Sequence, residues 1–427
     1  MGSHISNPNE KPRILMIAPV FYPYPPIWPE GIVNTKLAVA MKNAGWQIDI
    51  IVAGYQGGDN RYPSGETVPG MLKNHVHLVS TGQRKATAQR LLNAARGFFL
   101  TGRLLQGLDW SLSVLDTAKT LHSRNKYDVI LSRAVPDTAH FAALLVHRHT
   151  RIPWIANWND PTPLHKFPPP YGNGPFSPLN RNIRKWFNVV CNYCTWHTFP
   201  SERLREYMDS YLPGDIKSKS SVIPHMAVRS SAIKPEPHSG FSLCYAGSVL
   251  PPRDVAVFFE GIRHFQARLD KKEKFLVRFL VDKPELVAES AKKMGIEEIV
   301  KIEETVPYSQ MPESLSQSNI LVIIEAPLEN GIFMPSKIAD YVQIGRPILA
   351  LSPPNGTITD LLSKYGGGIS VDCQSSSAVA TALEKIHSHW KAGTLQSDYG
   401  SDSLITYLGE ESVLGSYMDL FEKLSYK

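Results

Sequence analysis

Four short segments hold residue types able to bind or move charge, and each follows an apolar run. Asn157-Trp158-Asn159-Asp160 places a carboxylate and two amides just past residues 153–156, ahead of a proline-rich stretch that runs to Pro178. A carboxylate there can orient an incoming hydroxyl or take its proton; it can equally open an Asx turn before Pro161. Tyr245-Ala246-Gly247-Ser248 leads to Arg253, a glycine turn followed by a cation. Backbone N–H groups and a guanidinium suit a diphosphate, and an arginine so placed also suits a solvated surface. The richest run is Glu325-Ala326-Pro327-Leu328-Glu329-Asn330-Gly331-Ile332-Phe333-Met334-Pro335-Ser336-Lys337, directly before a helix-like stretch. Its amides would face an anion at a helix amino terminus, with Glu329 as an acceptor and Lys337 adding a point charge. The fourth segment, residues 19–31, carries Trp28, Glu30 and Gly31 without a G-x-G-x-x-G fingerprint, which argues against a dinucleotide dehydrogenase. Gly31 could as well begin a helix on which Trp28 packs.

Such loops need elements to hold them. Residues 14–18 form an apolar run typical of a parallel strand buried on both faces, and residues 34–44 then repeat at helical spacing up to Gly45. Strand patterns at 47–53, 128–132 and 153–157, with a helix at 138–150, continue a βαβ alternation. After Ile223 the pattern breaks into a proline- and serine-rich stretch. Residues 241–246 restart it, followed by a helix at 255–268, strands at 275–281, 320–325 and 347–351, and helices at 284–294, 338–344, 378–389 and 411–424. The division expected is an amino-terminal domain over 1–223, a linker over 224–240, a second domain over 241–405 and a terminal helical segment, 406–427, packing back on the first domain. In open α/β sheets, ligands sit beyond the carboxyl ends of the strands, where all four segments fall.

Size and composition agree. A chain of 427 residues exceeds what one core organises, and 43% hydrophobic with 20% charged residues is ordinary for a globular protein. A net charge of +6 is too small to indicate nucleic acid and suits anionic small molecules. Residues 1–13 lack the apolar core of a secretion signal, and no apolar run approaches a membrane span, so a cytoplasmic chain is expected. Cys191-x-x-Cys194, alone on an apolar helical stretch, fits two buried thiols better than zinc, and the histidines form no helical ligand pair; no metal site is expected.

The run from Glu329 through Lys337, with the helix-like 338–344 and Gly345-Arg346-Pro347, closely resembles the signature of retaining glycosyltransferases of family four, in its M-P-S-K branch. The first loop, Asn159-Asp160, Ser201-Glu202, Tyr245-Ala246-Gly247 and the Glu329 run occur in family order, so the resemblance spans most of the chain. It implies an α/β fold of GT-B type, two Rossmann-like domains facing across a cleft, and a retaining glycosyltransferase. It implies a nucleotide-sugar donor, UDP- or GDP-linked, as substrate and no cofactor. Donor contacts are then expected from Gly31, Gly247, Ser248, Arg253, Glu329, Gly331, Ile332, Phe333, Met334, Ser336 and Lys337, with base contacts from Val306 and Tyr308. Trp28, Glu30, Asn159 and Asp160 fall on the acceptor side, and Asp160 and Glu329 carry the catalytic roles. Where many relatives have a second glutamate for the ribose this chain has Lys337, leaving Ser336 or Asp340 to replace it; Asn159 stands where many have histidine or arginine.

The acceptor expected is a glycan or a polyprenyl-linked sugar of bacterial surface polysaccharide or glycoconjugate synthesis. A nucleotide-sugar epimerase and a non-catalytic partner subunit are the rival readings. From Thr67 to Leu108 there is no acidic residue, while Lys73, Arg84, Lys85, Arg90, Arg96 and Arg103 are basic and Leu91, Phe98, Leu105 and Leu112 recur every seven residues. This is either an ordinary helix facing its core or a basic surface meeting anionic lipid at the inner face of the membrane.

Overall fold

The computed structural model describes residues 11–54, 66–80, 87–101, 108–228, 240–270 and 272–425. Two all-parallel sheets dominate it. The first joins β1 (Arg13–Ile17), β2 (Gln47–Gly54), β3 (Val76–Ser80), β4 (Val129–Ala134), β5 (Trp154–Trp158), β6 (Trp196–Phe199) and β7 (Ser220–Val222) in the order β3-β2-β1-β4-β5-β6-β7. The second joins β8 (Phe241–Ala246), β9 (Phe275–Leu280), β10 (Val300–Glu303), β11 (Ile320–Ile324), β12 (Ile348–Ser352) and β13 (Gly368–Asp372) in the order β10-β9-β8-β11-β12-β13. The expected α/β architecture of two nucleotide-binding-type domains is what forms.

The buried-on-both-faces reading of β1 has a direct basis. Leu15 and Ile17 enter one core with Phe141 and Trp186, while Ile14 and Met16 enter the opposite one with Leu37 and Phe421. Alternating side chains therefore both find apolar partners, as a central parallel strand requires. Helix Pro29–Asn43 begins earlier than its apolar period suggests, because Pro29 supplies the fixed φ of a first turn after extended Trp28. Strand β3 escaped the sequence pattern: Val76 and His77 are only half buried and Leu78 is exposed, so an edge strand shows no apolar run.

The terminal helix Glu410–Ser425 lays Val413, Tyr417, Leu420 and Phe421 into the core of the first sheet, although it follows the second in sequence. Tyr417 also accepts a hydrogen bond from the buried Arg133 at the end of β4 (3.2 Å). The Ala227 amide donates to the Leu408 carbonyl at 2.8 Å, so the chain's two passages between the sheets touch. Residues 229–239 of the expected linker lie outside the described residues, as do Arg84, Lys85, Arg103, Leu105 and the side chains of Arg90 and Arg96. No described helix is long and apolar enough to cross a membrane.

Candidate active site

In each sheet the strand order reverses beside the first strand, between β1 and β4 and between β8 and β11. A crevice opens at such switch points because flanking loops turn in opposite directions there. The loops after β1, β5, β8 and β11 meet in one cleft of about 270 Å³ between the two sheets.

From the second domain come Arg253, Glu325, Phe333, Met334, Ser336 and Lys337. Lys337, in the first turn of helix Ser336–Ile344, donates through Nζ to the Tyr245 hydroxyl (2.9 Å), which itself donates to the Ser248 carbonyl (2.8 Å). Gly247 makes room for this ammonium: its φ is +112°, and a Cβ there would stand 2.8 Å from Lys337 Cε. Burial depresses the Lys337 pKa, with the nearby Arg253 acting in the same sense. Burial works against the Arg253 charge as well, and Tyr171, Tyr245 and Glu325 more than offset it. Glu325, six per cent exposed, accepts from Ser352 Oγ at 2.5 Å. Enclosure pushes its carboxyl up to about 7, against the opposing pull of Ser352 and Arg253.

The first domain contributes Glu30, Asn159, Asp160, Phe167 and Tyr171. Asn159 is buried, and neither its Nδ2 nor its Oδ1 meets a hydrogen-bond partner among the described residues. A buried amide is costly when unsatisfied, so this one is built to meet a ligand or water in the cleft. Asp160 is held well above the usual carboxylate range, first by enclosure and then by the neighbouring Glu30, with Arg253 pulling the other way. Asp160 therefore favours its neutral form in the enclosed cleft, with the Glu30 charge acting in the same sense. His225, from the passage between the domains, also lines the cleft. Burial, then Arg133 and Lys36, lowers its pKa to about 3, so it is a neutral imidazole there.

The two sides are tied together. Ile332 enters the core of the first domain, and Phe333 packs on Phe167 and Tyr171 at ring-centroid distances of 5.7 and 5.6 Å. Ser201 Oγ donates to the Ile332 carbonyl (3.0 Å), Lys36 pairs with Asp340 (3.0 Å), and Arg203 grips Asp360 through two nitrogens (2.5 and 2.9 Å). The loop that would hold a donor is therefore shaped by both domains.

Of the residues singled out in the sequence, Glu30, Asn159, Asp160, Arg253, Phe333, Met334, Ser336 and Lys337 line the cleft. Others stand behind it. Gly247 and Ser248 seat Lys337 and Tyr245; Gly31 gives its amide to the Trp28 carbonyl (2.9 Å) and lies against the Tyr22 backbone; half-buried Trp28 precedes the helix start. Gly331 bonds across to Asn355 and Thr357, and a Cβ on it would meet Gly356 Cα at 2.9 Å. Val306 packs on the second domain's core, and Tyr308 donates to Asp340 (2.7 Å) while its ring meets Tyr22 of the first domain, so neither faces the cleft. Asp340 is engaged by Lys36 and Tyr308.

Glu329 is exposed and does not line the cleft, although Ala326 and Leu328 before it do, and Gly331 beyond it pairs with Gly356. The carboxylate that this segment turns inward is Glu325, immediately after β11. Its position at a strand's carboxyl end was a readable signal; His225, inside a linker-like stretch, and Tyr171, within a proline-rich loop, offered none. Cys191 and Cys194 are buried free thiols, and no group of three or more metal-ligating side chains forms among the described residues.

Comparison with known proteins places this geometry. The model of Glycosyltransferase Family 4 matches residues 31–226. No curated protein matches the chain by sequence. Among solved structures, HepE of Anabaena in complex with UDP and glucose is 13% identical, with 97% of this chain and 99% of that one covered at a TM-score of 0.62. A TarM mutant of S. aureus, in complex with fondaparinux, α-GlcNAc-glycerol and UDP, is 10% identical, with 96% and 99% covered at 0.65. A UDP-N-acetylglucosamine 2-epimerase is 12% identical, with 98% of each chain covered at 0.51. At such identities these structures share the fold with this chain.

Proposed function

From a GT-B fold whose amino-terminal half matches glycosyltransferase family 4, we propose that this chain is a retaining glycosyltransferase. In this reading it moves a sugar from a UDP- or GDP-linked donor to a glycan or polyprenyl-linked acceptor of bacterial surface polysaccharide or glycoconjugate synthesis. The observation that carries the reading is one cleft in which Arg253 joins Lys337 of a helix's first turn, together with an Asn159 amide that has no hydrogen-bond partner among the described residues.

The roles follow from charge. As the glycosidic bond to a diphosphate breaks, negative charge grows on the leaving oxygen; Arg253, Lys337 and the first-turn amides of helix Ser336–Ile344 are already in place to meet it. These cations take the part that a metal plays in other sites, so no metal or cofactor enters the scheme. Glu325 accepts hydroxyls of the donor sugar in place of Glu329. Asp160 and Glu30 face the acceptor, and Asp160, held by burial toward its neutral form, orients the hydroxyl rather than stripping it beforehand. UDP in the neighbouring complexes supports a uridine donor without deciding the sugar.

Incubating the purified protein with a panel of UDP- and GDP-sugars tests the reading. Slow release of free sugar from one donor, with thermal stabilisation by its nucleoside diphosphate, is the expected result. Conversion of the donor into an isomeric nucleotide sugar would instead make it an epimerase, and neither binding nor turnover of any donor would leave it a non-catalytic partner.

A further inference from the structure

We infer that a second pocket, behind the loop that walls the cleft, holds the phosphate-bearing end of an isoprenoid lipid. The inference deepens the glycosyltransferase reading, and rests on it, by giving the acceptor's carrier a place. The loop of residues 161–179 is folded on itself. Lys166 Nζ donates to the carbonyls of Pro175 and, at 2.5 Å, Ser177; the Asn173 amide donates to His165 and the Gly174 amide to Phe167; and Tyr207 donates to the Lys166 carbonyl at 2.6 Å. One face of this unit presents Phe167 and Tyr171 to the cleft. The other walls a separate cavity of about 370 Å³, within the ~300–1,000 Å³ range of small-molecule sites.

The lining chemistry selects an amphiphile with a negative head. Phe176, Leu179, Phe187 and Tyr211 form apolar walls, Lys166 and Arg184 supply positive charge with Asn188 beside them, and no carboxylate lines the pocket. Lys166 is only 2% exposed and lies 4.9 Å from the Tyr211 ring centroid. Neither it nor Arg184 pairs with a carboxylate among the described residues. A buried ammonium held only by carbonyls and a π face, beside a second cation, favours an anion that brings its own apolar body.

The surface around the mouth continues the pattern. Helix Arg181–Tyr193 contains no acidic residue and exposes Arg181, Arg184 and Lys185. It packs beside helix Thr87–Thr101, which also lacks acids. Leu91, Phe99, Leu164 and Phe176, from these two helices' neighbourhood and the loop, are each at least 67% exposed. An apolar, acid-free face with a cationic pocket fits a phospholipid leaflet from which a prenyl phosphate enters.

The test is calorimetric titration of the full chain with farnesyl monophosphate below its micelle concentration, with farnesol and inorganic phosphate as comparison arms. Farnesyl monophosphate is expected to bind equally with and without saturating UDP, and about tenfold more weakly to Arg184→Gln and to Phe176→Ser, but not to Phe99→Ser. Farnesol and phosphate alone should each bind at least about tenfold more weakly to the wild type. No binding, displacement by UDP, or equal affinity in Arg184→Gln and Phe176→Ser would overturn the inference. A wild type that binds farnesyl monophosphate through Arg184 yet turns over no nucleotide sugar would keep the pocket and sink the glycosyltransferase reading alone.

Discussion

Replacing Glu325 by glutamine is expected to stabilise the protein, and to do so only above mildly acidic pH. Glu325 is buried, and its carboxyl sits near 7 against an ordinary 4.5. Below about 4.5 the group is protonated in both folded and unfolded chains and costs nothing. Between about 4.5 and 7 the unfolded chain ionises while the folded one does not, so stability falls as pH rises, and above about 7 the loss is complete. A gap of two and a half units corresponds to about 3 kcal/mol, or some ~6–12 °C in the melting temperature of a domain this size. Glutamine keeps an acceptor for Ser352 Oγ and never ionises. Thermal unfolding of wild type and Glu325→Gln from pH 4.5 to 8.5 should therefore show coincident curves at the acid end and a variant increasingly more stable towards pH 8. A difference independent of pH, or a less stable variant at pH 8, would refute both the raised pKa and the enclosure that causes it. The same carboxyl serves the donor in the proposed function, so the stabilised variant should also lose transfer: a site strained for its ligand.

Three further expectations concern binding and closure. Lys337→Met should weaken UDP binding by roughly ten- to a hundredfold, the worth of a charge-assisted contact of about 1.5–3 kcal/mol, measured by titration calorimetry; undiminished affinity would remove Lys337 from the diphosphate site. Lys36→Ala combined with Asp360→Ala cuts two interdomain ion pairs, so small-angle scattering should show an enlarged molecule that compacts again on adding nucleotide diphosphate; an unchanged profile would mean that the remaining contacts, Ile332 and Phe333 with the Tyr22–Tyr308 pair, hold the cleft shut. Vesicle binding should rise with anionic lipid, fall with salt over a screening length of about 10 Å at 0.1 M, and weaken when Arg90, Arg96 and Arg103 become glutamine; equal binding to neutral and anionic vesicles would return residues 67–108 to a purely structural role.

The central strands and their helices were legible because burial on two faces leaves continuous apolar runs: residues 241–246 and 320–324 could be little else. Edge strand β3 and the short β7 were not, since half-buried strands carry no such run. The cleft was legible where a residue directly follows a strand's carboxyl end, as Asn159 and Asp160 do after β5. It was obscured where a loop's path decides which side chain turns inward. Glu325 and Glu329 are four apart, and nothing local says that the first lines the cleft while the second is exposed just beyond buried Leu328; the path that brings Gly331 to Gly356, twenty-five residues on, is a matter of tertiary packing. His225 and Tyr171 reach the cleft only because the two domains close upon each other, a fact of tertiary packing that no local pattern records.

The measurement that bears most directly on the account is the anomeric configuration of the product. With a donor and acceptor that turn over, proton NMR of the newly formed glycoside in the presence of a chelator should show the donor's configuration preserved, formed at an undiminished rate because Arg253 and Lys337 carry the charge. An inverted linkage, or transfer abolished by the chelator and restored by manganese or magnesium, would contradict the reading of the cleft as a metal-free retaining site.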